Sequence, residues 1–156
     1  MGVIMGTKLR EGQKAPSFEG STADGSKLSL KEFIGKKNVV LYFYPKDDTP
    51  GCTKEACNFR DNIKLLGDLG AEIVGVSLDS VESHKKFREK YNLPFPLLSD
   101  KNKRIATAYG VLKEGGTSAS RVTFVIDRKG KISRIFPKVD VNVHAEEVAA
   151  ALKELS

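Results

Sequence analysis

The two cysteines of this 156-residue chain, Cys52 and Cys57, both lie in the stretch "YPKDDTPGCTKEAC", with four residues between them. Two cysteines cannot complete a four-cysteine zinc site. The two histidines, His84 and His144, stand about 60 positions apart rather than the three to five of a Cys₂His₂ site. A chain of this length can bury an ample core, so a stapling disulfide is also disfavoured. Thiol chemistry is therefore the leading interpretation.

The position of Cys52 favours a reactive thiolate. Cys52 follows the buried-strand pattern "NVVLYFY" and begins a helical pattern. Unpaired N–H groups and the helix dipole at a helix start stabilise negative charge, and the thiolate is the nucleophile. Cys57 lies one and a half turns later and lacks these advantages. The two thiols are therefore expected to have different roles.

Helix geometry predicts that Cys52 and Cys57 cannot bond while the helix is intact. Residues five apart on an ideal helix have Cα atoms about 8.7 Å apart, whereas a disulfide needs less than about 7 Å. If the first turns unwind, the two sulfurs can meet. The spacing predicts a catalytic disulfide coupled to local unfolding. The alternative to this redox role is that Cys57 is a core residue, since it lies near the apolar stripe of the helix.

Several other polar residues are expected to lie at the surface or to support the helix. The adjacent acids Asp47 and Asp48 are expected to be solvated rather than to bind magnesium. His84 and His144 lie in polar, helical contexts and are expected at the surface rather than as ligands. Glu55 is expected either to cap the helix or to reach Arg121.

Composition excludes several functional classes. The net charge of +6 and pI near 9.3 would suit an anionic partner, but acidic and basic residues are interleaved and no aromatic-basic platform occurs, which disfavours nucleic-acid binding. No apolar run reaches the roughly 18 residues of a membrane span, and the first residues lack a signal-peptide pattern. The sequence therefore predicts a soluble cytoplasmic protein with one domain, residues 1–156.

The pattern of elements predicts an α/β fold. "EGSTADGSKLSL" is typical of a hairpin about Asp24-Gly25, and "NVVLYFY" and "EIVGVSL" of strands buried on both faces. A helix is expected from about Thr53 to Leu69, a second follows Ser80 as its cap, a third runs through "KNKRIATAYG", and a fourth closes the chain. "RVTFVID" and "KISRIFP" predict another hairpin. A mixed sheet with helices on both faces accommodates this order.

The active-site segment resembles that of peroxiredoxins, in the form Pro-x-x-x-Thr-x-x-Cys: Pro45, Thr49 and Cys52. Arg121, just before a strand in "ASRVTFVID", matches the distant arginine of that family. A second cysteine at Cys57 is similar to the bacterioferritin-comigratory-protein, or Q, subfamily. The likeness covers nearly the whole chain. Without the resemblance, Thr49 is equally a cap or turn residue, Pro45 a strand terminator and Arg121 a solvated basic residue.

The resemblance implies a thioredoxin-like fold with an N-terminal β-hairpin and a thiol peroxidase that acts on hydrogen peroxide and organic hydroperoxides. Cys52 would be the peroxidatic cysteine and Cys57 the resolving cysteine. Arg121, the Thr49 hydroxyl and the N–H of Cys52 would donate hydrogen bonds to the departing oxygen, and the ring of Pro45 would shield the sulfur from water. A thioredoxin-like dithiol would be the reductant, no metal, flavin or haem is implied, and the subfamily includes monomers and dimers. Two alternatives are a thiol–disulfide oxidoreductase, although a Cys-x-x-Cys motif is missing, and a redox-switched binding or chaperone-like protein.

Overall fold

A computed structural model of the chain describes residues 7–155 and shows a seven-stranded mixed sheet. The strand order is β2-β1-β5-β4-β3-β6-β7. The central strands β3, β4 and β5 are parallel, whereas β1, β2, β6 and β7 pair antiparallel with their neighbours. The strands are β1 (Glu19–Thr22), β2 (Lys27–Ser29), β3 (Asn38–Phe43), β4 (Ala71–Ser77), β5 (Leu97–Ser99), β6 (Val122–Ile126) and β7 (Ile132–Phe136).

Five α-helices and one 3₁₀ turn complete the described part of the chain. The helices are α1 (Pro50–Asp61), α2 (Ile63–Asp68), α3 (Val81–Tyr91), α4 (Arg104–Ala108) and α5 (His144–Lys153), and the 3₁₀ turn is Leu30–Glu32. None of these helices is long and apolar enough to cross a membrane. The N-terminal segment that lacks a signal-peptide pattern lies partly outside the described residues.

Strand β3 forms the centre of the molecule and is buried along its whole length. Because side chains alternate along a strand, Val39, Leu41 and Phe43 enter a core cluster on one face of the sheet. Val40 and Tyr42 enter the cluster on the opposite face. Helices α1, α2, α3 and α5 contribute to the second cluster, and α4 to the first. This confirms the prediction of a mixed sheet with helices on both faces.

Several local predictions are confirmed. Strands β1 and β2 form the N-terminal hairpin, with Gly25 at φ 85° in the turn, a backbone conformation that glycine adopts without strain. The side chain of Ser80 accepts a hydrogen bond from the amide of Ser83 and caps α3. Strands β6 and β7 form the second hairpin.

The helix expected from Thr53 to Leu69 begins earlier and is divided in two. It starts at Pro50, at a position where the missing N–H of proline has no cost. The break is at Asn62, whose side-chain amide donates to the carbonyl of Asn58 at 2.8 Å. In an unbroken helix, the carbonyl of Asn58 would accept a hydrogen bond from the backbone N–H of Asn62. That N–H instead donates to the carbonyl of Phe59. This side-chain competition explains why α1 ends at Asp61.

Candidate active site

Cys52 lies where the sheet and α1 meet. Strand β3 is followed by a short loop, residues 45–49. Helix α1 then begins, with Thr49 at its N-cap position and Pro50 in its first turn. The first backbone bond of the helix runs from the amide of Thr53 to the carbonyl of Thr49. The amide of Cys52 therefore lies in the turn whose N–H groups lack intrahelical partners. The side chain of Cys52 is almost fully buried, with 1% of its surface exposed.

Arg121 reaches this sulfur from a distant part of the sequence. It directly precedes β6, and the pairing of Phe43 with Val122 brings the start of β6 beside the end of β3. The Nη2 atom of Arg121 lies 3.3 Å from Sγ of Cys52. A cation this close, together with the helix N-terminus, stabilises a thiolate.

Gly51 provides the room for that contact. A Cβ atom added to Gly51 would lie 3.1 Å from Nη2 and 3.7 Å from Cζ of Arg121. The guanidinium thus crosses the backbone of the first helical turn at close range. The Pro-Gly pair before Cys52 serves this approach as well as the helix start, a function that the sequence alone did not reveal.

Glu55 holds the other side of the same guanidinium. Its Oε1 atom accepts a hydrogen bond from Nη1 of Arg121 at 2.7 Å, and its side chain is fully buried. This confirms the second of the two roles expected for Glu55. Its other oxygen, Oε2, has no hydrogen-bond partner, a property shared among the described buried side chains with the hydroxyl of Tyr42.

The ionisation of Glu55 reflects competition between burial and its partner. Burial raises the pKa of Glu55 to about 7, although the charge and hydrogen bond of Arg121 act in the opposite direction. Burial alone would lower the pKa of Arg121, but the charges of Glu55 and Cys52 reverse that effect and raise it. The guanidinium therefore remains a permanent cation between a carboxyl group and a thiol.

Thr49 and Pro45 both belong to the loop that precedes Cys52. The hydroxyl of Thr49 donates to the carbonyl of Lys46 at 2.9 Å, and it makes no side-chain capping bond to α1. Its hydrogen is thus engaged, while the oxygen lone pairs can accept a hydrogen bond from a substrate. Pro45 is half-buried and directly follows Tyr44. Thr49 is therefore a turn residue in addition to any role toward a substrate.

Cys57 lies on the same helix in a different environment. Its thiol is free and half-buried, and α1 continues without interruption from Pro50 past both cysteines. The two thiols are therefore held apart by helical backbone, as the spacing predicts.

Three polar residues expected at the surface are instead buried. Asp47 is 7% exposed, and both histidines are 0% exposed. The ring of His84 contacts Asp47 and the carbonyl of Leu98, whereas only Asp48 of the acidic pair is exposed. The expectation was wrong because the sequence around each residue is polar, while its buried partners include residues distant in the sequence.

His144 is buried at the start of α5. Its Nε2 atom lies 2.8 Å from the hydroxyl of Thr123, and its ring packs edge-on against Phe59 and Phe136. Burial lowers the pKa of His144 despite the nearby Glu147. It is a core histidine rather than a surface residue.

Cys52, Arg121 and Glu55 thus lie together at the start of α1, and known proteins share both the sequence and the fold that place them there. Residues 11–135 match the model of the AhpC/TSA family. The chain belongs to this family. A Coxiella burnetii protein whose name describes a peroxiredoxin of the bcp type is 50% identical over 150 residues, which cover 92% of this chain and 99% of that protein.

Solved structures place the chain in the same branch of the AhpC/TSA family. Peroxidoxin BcpB from Mycobacterium tuberculosis superposes with a TM-score of 0.87 at 35% identity, covering 98% of this chain and 99% of that one. The bacterioferritin comigratory protein of Xanthomonas campestris, which has alkyl peroxide reduction activity, gives a TM-score of 0.83 at 35% identity, covering 88% of this chain and 91% of that one. The fold is the thioredoxin-like fold of peroxiredoxins, and membership makes the chain a thiol-dependent peroxidase.

Proposed function

We propose that this peroxiredoxin reduces hydrogen peroxide and organic hydroperoxides through a sulfenic acid on Cys52, which Cys57 resolves as an intramolecular disulfide. The observation that carries the proposal is the position of the Cys52 sulfur, buried in the first turn of α1 and 3.3 Å from the guanidinium of Arg121. That position supplies a thiolate and a fixed cation for the charge that develops on a departing oxygen.

In the first step, the thiolate of Cys52 attacks the terminal oxygen of the peroxide in line with the O–O bond. The S–O bond forms as the O–O bond breaks, and the departing alkoxide or hydroxide takes a proton from water and leaves as alcohol or water. This proton balances the one that the Cys52 thiol released to water when it ionised. The sulfur is oxidised by two electrons to sulfenic acid and the peroxide is reduced by two. Arg121 and the amide of Cys52 stabilise the departing oxygen, and the lone pairs of Thr49 accept a hydrogen bond from the peroxide O–H.

In the second step, the thiol of Cys57 condenses with the sulfenic acid of Cys52. An S–S bond forms and one water leaves. Since α1 is continuous across both residues, its first turns must unwind for the sulfurs to meet. An external thioredoxin-like dithiol then reduces the disulfide by thiol–disulfide exchange and restores both thiols.

The proposed substrates and location extend beyond the family assignment. The alkyl peroxide activity of the Xanthomonas campestris relative supports organic hydroperoxides as substrates, and Pro45 beside the site would limit access of water to the sulfur. A thioredoxin-type reductant operates in a reducing compartment, which supports the cytoplasm as the location.

A single-turnover competition distinguishes this function from disulfide exchange. The fully reduced protein is mixed, in separate stopped-flow experiments, with hydrogen peroxide, cumene hydroperoxide and a small disulfide, and thiol loss is followed in each. We expect both peroxides to oxidise the protein at least about a thousandfold faster than free cysteine, because the site both supplies the thiolate and stabilises the leaving oxygen. Fast reaction with the disulfide and slow reaction with both peroxides would contradict the proposal in favour of an oxidoreductase.

A further inference from the structure

A buried hydrogen-bonded cluster lies beside the active site without contacting the reacting sulfur. At its centre is Asp47, five residues before Cys52 in the loop that joins β3 to α1. Its Oδ1 atom accepts a hydrogen bond from the hydroxyl of Tyr44 at 2.6 Å. Its Oδ2 atom accepts one from the hydroxyl of Ser83 at 2.8 Å and lies 2.7 Å from Nδ1 of His84. One carboxyl group thus gathers two hydroxyl donors and an imidazole nitrogen.

The second member of the cluster is His84 on α3, whose ring is fully buried. Its Nε2 atom lies 3.1 Å from the carbonyl oxygen of Leu98, which can only accept a hydrogen bond. Its Nδ1 atom faces the Asp47 carboxylate. Both ring nitrogens therefore face oxygen atoms of distant residues. Burying polar groups has a large desolvation cost unless they are hydrogen-bonded, as these groups are.

The same loop is fixed at further points. The backbone amide of Asp47 donates to Oδ2 of Asp79 at 2.9 Å, and the hydroxyl of Thr49 closes the turn on Lys46. Asp48 adopts φ 55°, a left-handed conformation that residues other than glycine rarely adopt. Loop 45–49 therefore has little freedom, and the buried pair ties it to α3.

The neighbouring carboxylate of Asp48 provides a contrast on the same loop. It bonds to Nζ of Lys90 at 2.8 Å and to the hydroxyl of Tyr91 at 2.9 Å, also on α3. These contacts are exposed, with 43% of the Asp48 side chain and 57% of the Lys90 side chain accessible. Exposed pairs contribute little because water screens them. Two adjacent aspartates thus hold one loop to one helix, one within the core and one at the surface.

We propose that Asp47 and His84 are positioning residues for the oxidation of Cys52. By fixing loop 45–49 to α3, their buried pair sets where Thr49 and the first turn of α1 lie relative to Arg121. The inference deepens the proposed function and rests on it. The ligand atoms of Asp47, Asp79 and His84 also lie within 4.8 Å of one another, but the hydrogen bonds described above already use them, which favours a hydrogen-bonded cluster over a metal site.

The test compares isosteric changes at the two neighbouring aspartates. In a Cys57→Ser parent, which stops after the first oxidation, we compare Asp47→Asn and His84→Gln with the matched control Asp48→Asn. Asparagine tolerates the left-handed conformation at position 48. Two rates are measured below the melting transition: oxidation of Cys52 by hydrogen peroxide and its alkylation by iodoacetamide, which needs the thiolate but not the peroxide geometry.

We expect Asp47→Asn and His84→Gln to slow peroxide oxidation by at least about tenfold, because displacements near 1 Å are costly at a reacting centre. Alkylation should stay within about twofold of the parent, and the Asp48→Asn control should match the parent in both rates. If the buried variants do not fold, Ser83→Ala, which removes one bond to Asp47, should still slow oxidation by about threefold while sparing alkylation.

Two results would overturn this inference but leave the proposed function standing. Unchanged peroxide rates in folded Asp47→Asn and His84→Gln would make the pair merely structural. Equal losses in oxidation and alkylation would mean that the pair acts on the thiolate rather than on the peroxide geometry. A Cys57→Ser parent that reacts with peroxide no faster than free cysteine would refute the proposed function, and the inference with it.

Discussion

Cys52 and Cys57 share one helix, yet their surroundings differ in almost every respect. Cys52 is 1% exposed, sits in the first turn of α1 and has a guanidinium 3.3 Å from its sulfur. Cys57 is half-buried, in the interior of the helix. The difference teaches that a thiol's role follows from where the backbone places it. A helix start and a nearby cation favour a nucleophilic thiolate. Partial exposure instead suits a thiol that must reach the sulfenic acid of the other cysteine.

The helix itself has two unlike ends as well. The N-terminal turns, which carry Cys52, must unwind for the disulfide to form. The C-terminal part is fixed to α5, because the side chain of Asn58 accepts a hydrogen bond from the amide of Ala145 at 2.7 Å and Phe59 is fully buried. We therefore expect unwinding to stop at about Asn58, directly after Cys57.

The largest effect that we predict separates the two thiols. Cys52→Ser should abolish peroxide reduction, a loss of at least about a thousandfold, because the serine hydroxyl is not ionised at neutral pH and is a poor nucleophile. Peroxide consumption under thioredoxin turnover measures the loss. Retained turnover in this variant would show that Cys52 is not the peroxidatic residue.

Cys57→Ser should affect only the later step. The first oxidation of Cys52 should remain within about twofold of wild type, because Cys57 has no part in the nucleophile's surroundings. Recycling by thioredoxin should stop, and sulfenic acid or a mixed disulfide should accumulate. Single-turnover rates together with a steady-state thioredoxin assay measure the two steps. A variant that recycles at the wild-type rate would remove Cys57 from the mechanism.

The Arg121→Lys variant tests whether Cys52 needs only a positive charge beside its sulfur or also the planar shape of the guanidinium. Lysine keeps the positive charge but has a single nitrogen, whereas the planar guanidinium reaches Glu55 with Nη1 and Cys52 with Nη2 in a fixed geometry. We expect the rate of Cys52 oxidation to fall about 10²- to 10³-fold, the usual cost of one lost transition-state donor. The control is Arg134→Lys at a half-exposed site on β7, which should leave the rate unchanged. Equal rates for both variants would mean that charge alone suffices.

Glu55→Gln should change how stability depends on pH. The folded-state pKa of Glu55 is raised to about 7 from its ordinary 4.5, so between these values the folded protein holds a proton that the unfolded chain has released. Its contribution to stability is therefore lost as pH rises from 4.5 to 7, by about 3 kcal/mol at 1.36 kcal/mol per unit. Glutamine does not titrate, so this decline should be missing.

Urea unfolding of wild type, Glu55→Gln and the control Glu89→Gln, each at pH 5 and pH 8, measures that decline. Glu89 is exposed on α3, and its variant should follow the wild-type pH dependence. If Glu55→Gln also follows it, Glu55 is fully ionised throughout this range and is held so by Arg121.

The smallest predicted effect concerns the approach of Arg121. Gly51→Ala places a Cβ atom 3.1 Å from Nη2, a contact that displaces the guanidinium by a few tenths of an ångström. We expect oxidation of Cys52 to slow by about threefold to tenfold. Gly67→Ala is the matched control in α2, where a Cβ would meet nothing within 4 Å. It should leave the rate unchanged and stabilise the helix slightly. Equal oxidation rates in the two variants would contradict the steric role of Gly51.

The features predicted correctly from sequence are those that neighbouring residues determine. The runs around Val40 and Val74 identify buried strands because their apolar residues follow one another without polar alternation, and Ser80 identifies a helix start through its own side chain. The place of Cys52 follows from the strand before it and the helix after it. Arg121 required the family resemblance, because it reaches Cys52 from 69 residues away in the chain.

The errors concern residues whose partners come from elsewhere in the chain. His84 stands among lysines and serines, yet its ring bonds to Leu98 on another strand. His144 bonds to Thr123 on β6 in the same way. The break at Asn62 was missed because it depends on a side-chain bond that competes with a backbone bond. None of these contacts leaves a periodic signal in the sequence.

The most direct test of the two-thiol mechanism is the intact mass and free-thiol count of the reduced protein, taken milliseconds to seconds after one equivalent of hydrogen peroxide. We expect rapid loss of both thiols and of about 2 Da, the signature of a sulfenic acid that has condensed to a disulfide. Survival of both thiols for minutes would contradict the central claim that Cys52 is built to react with peroxide and Cys57 to resolve it.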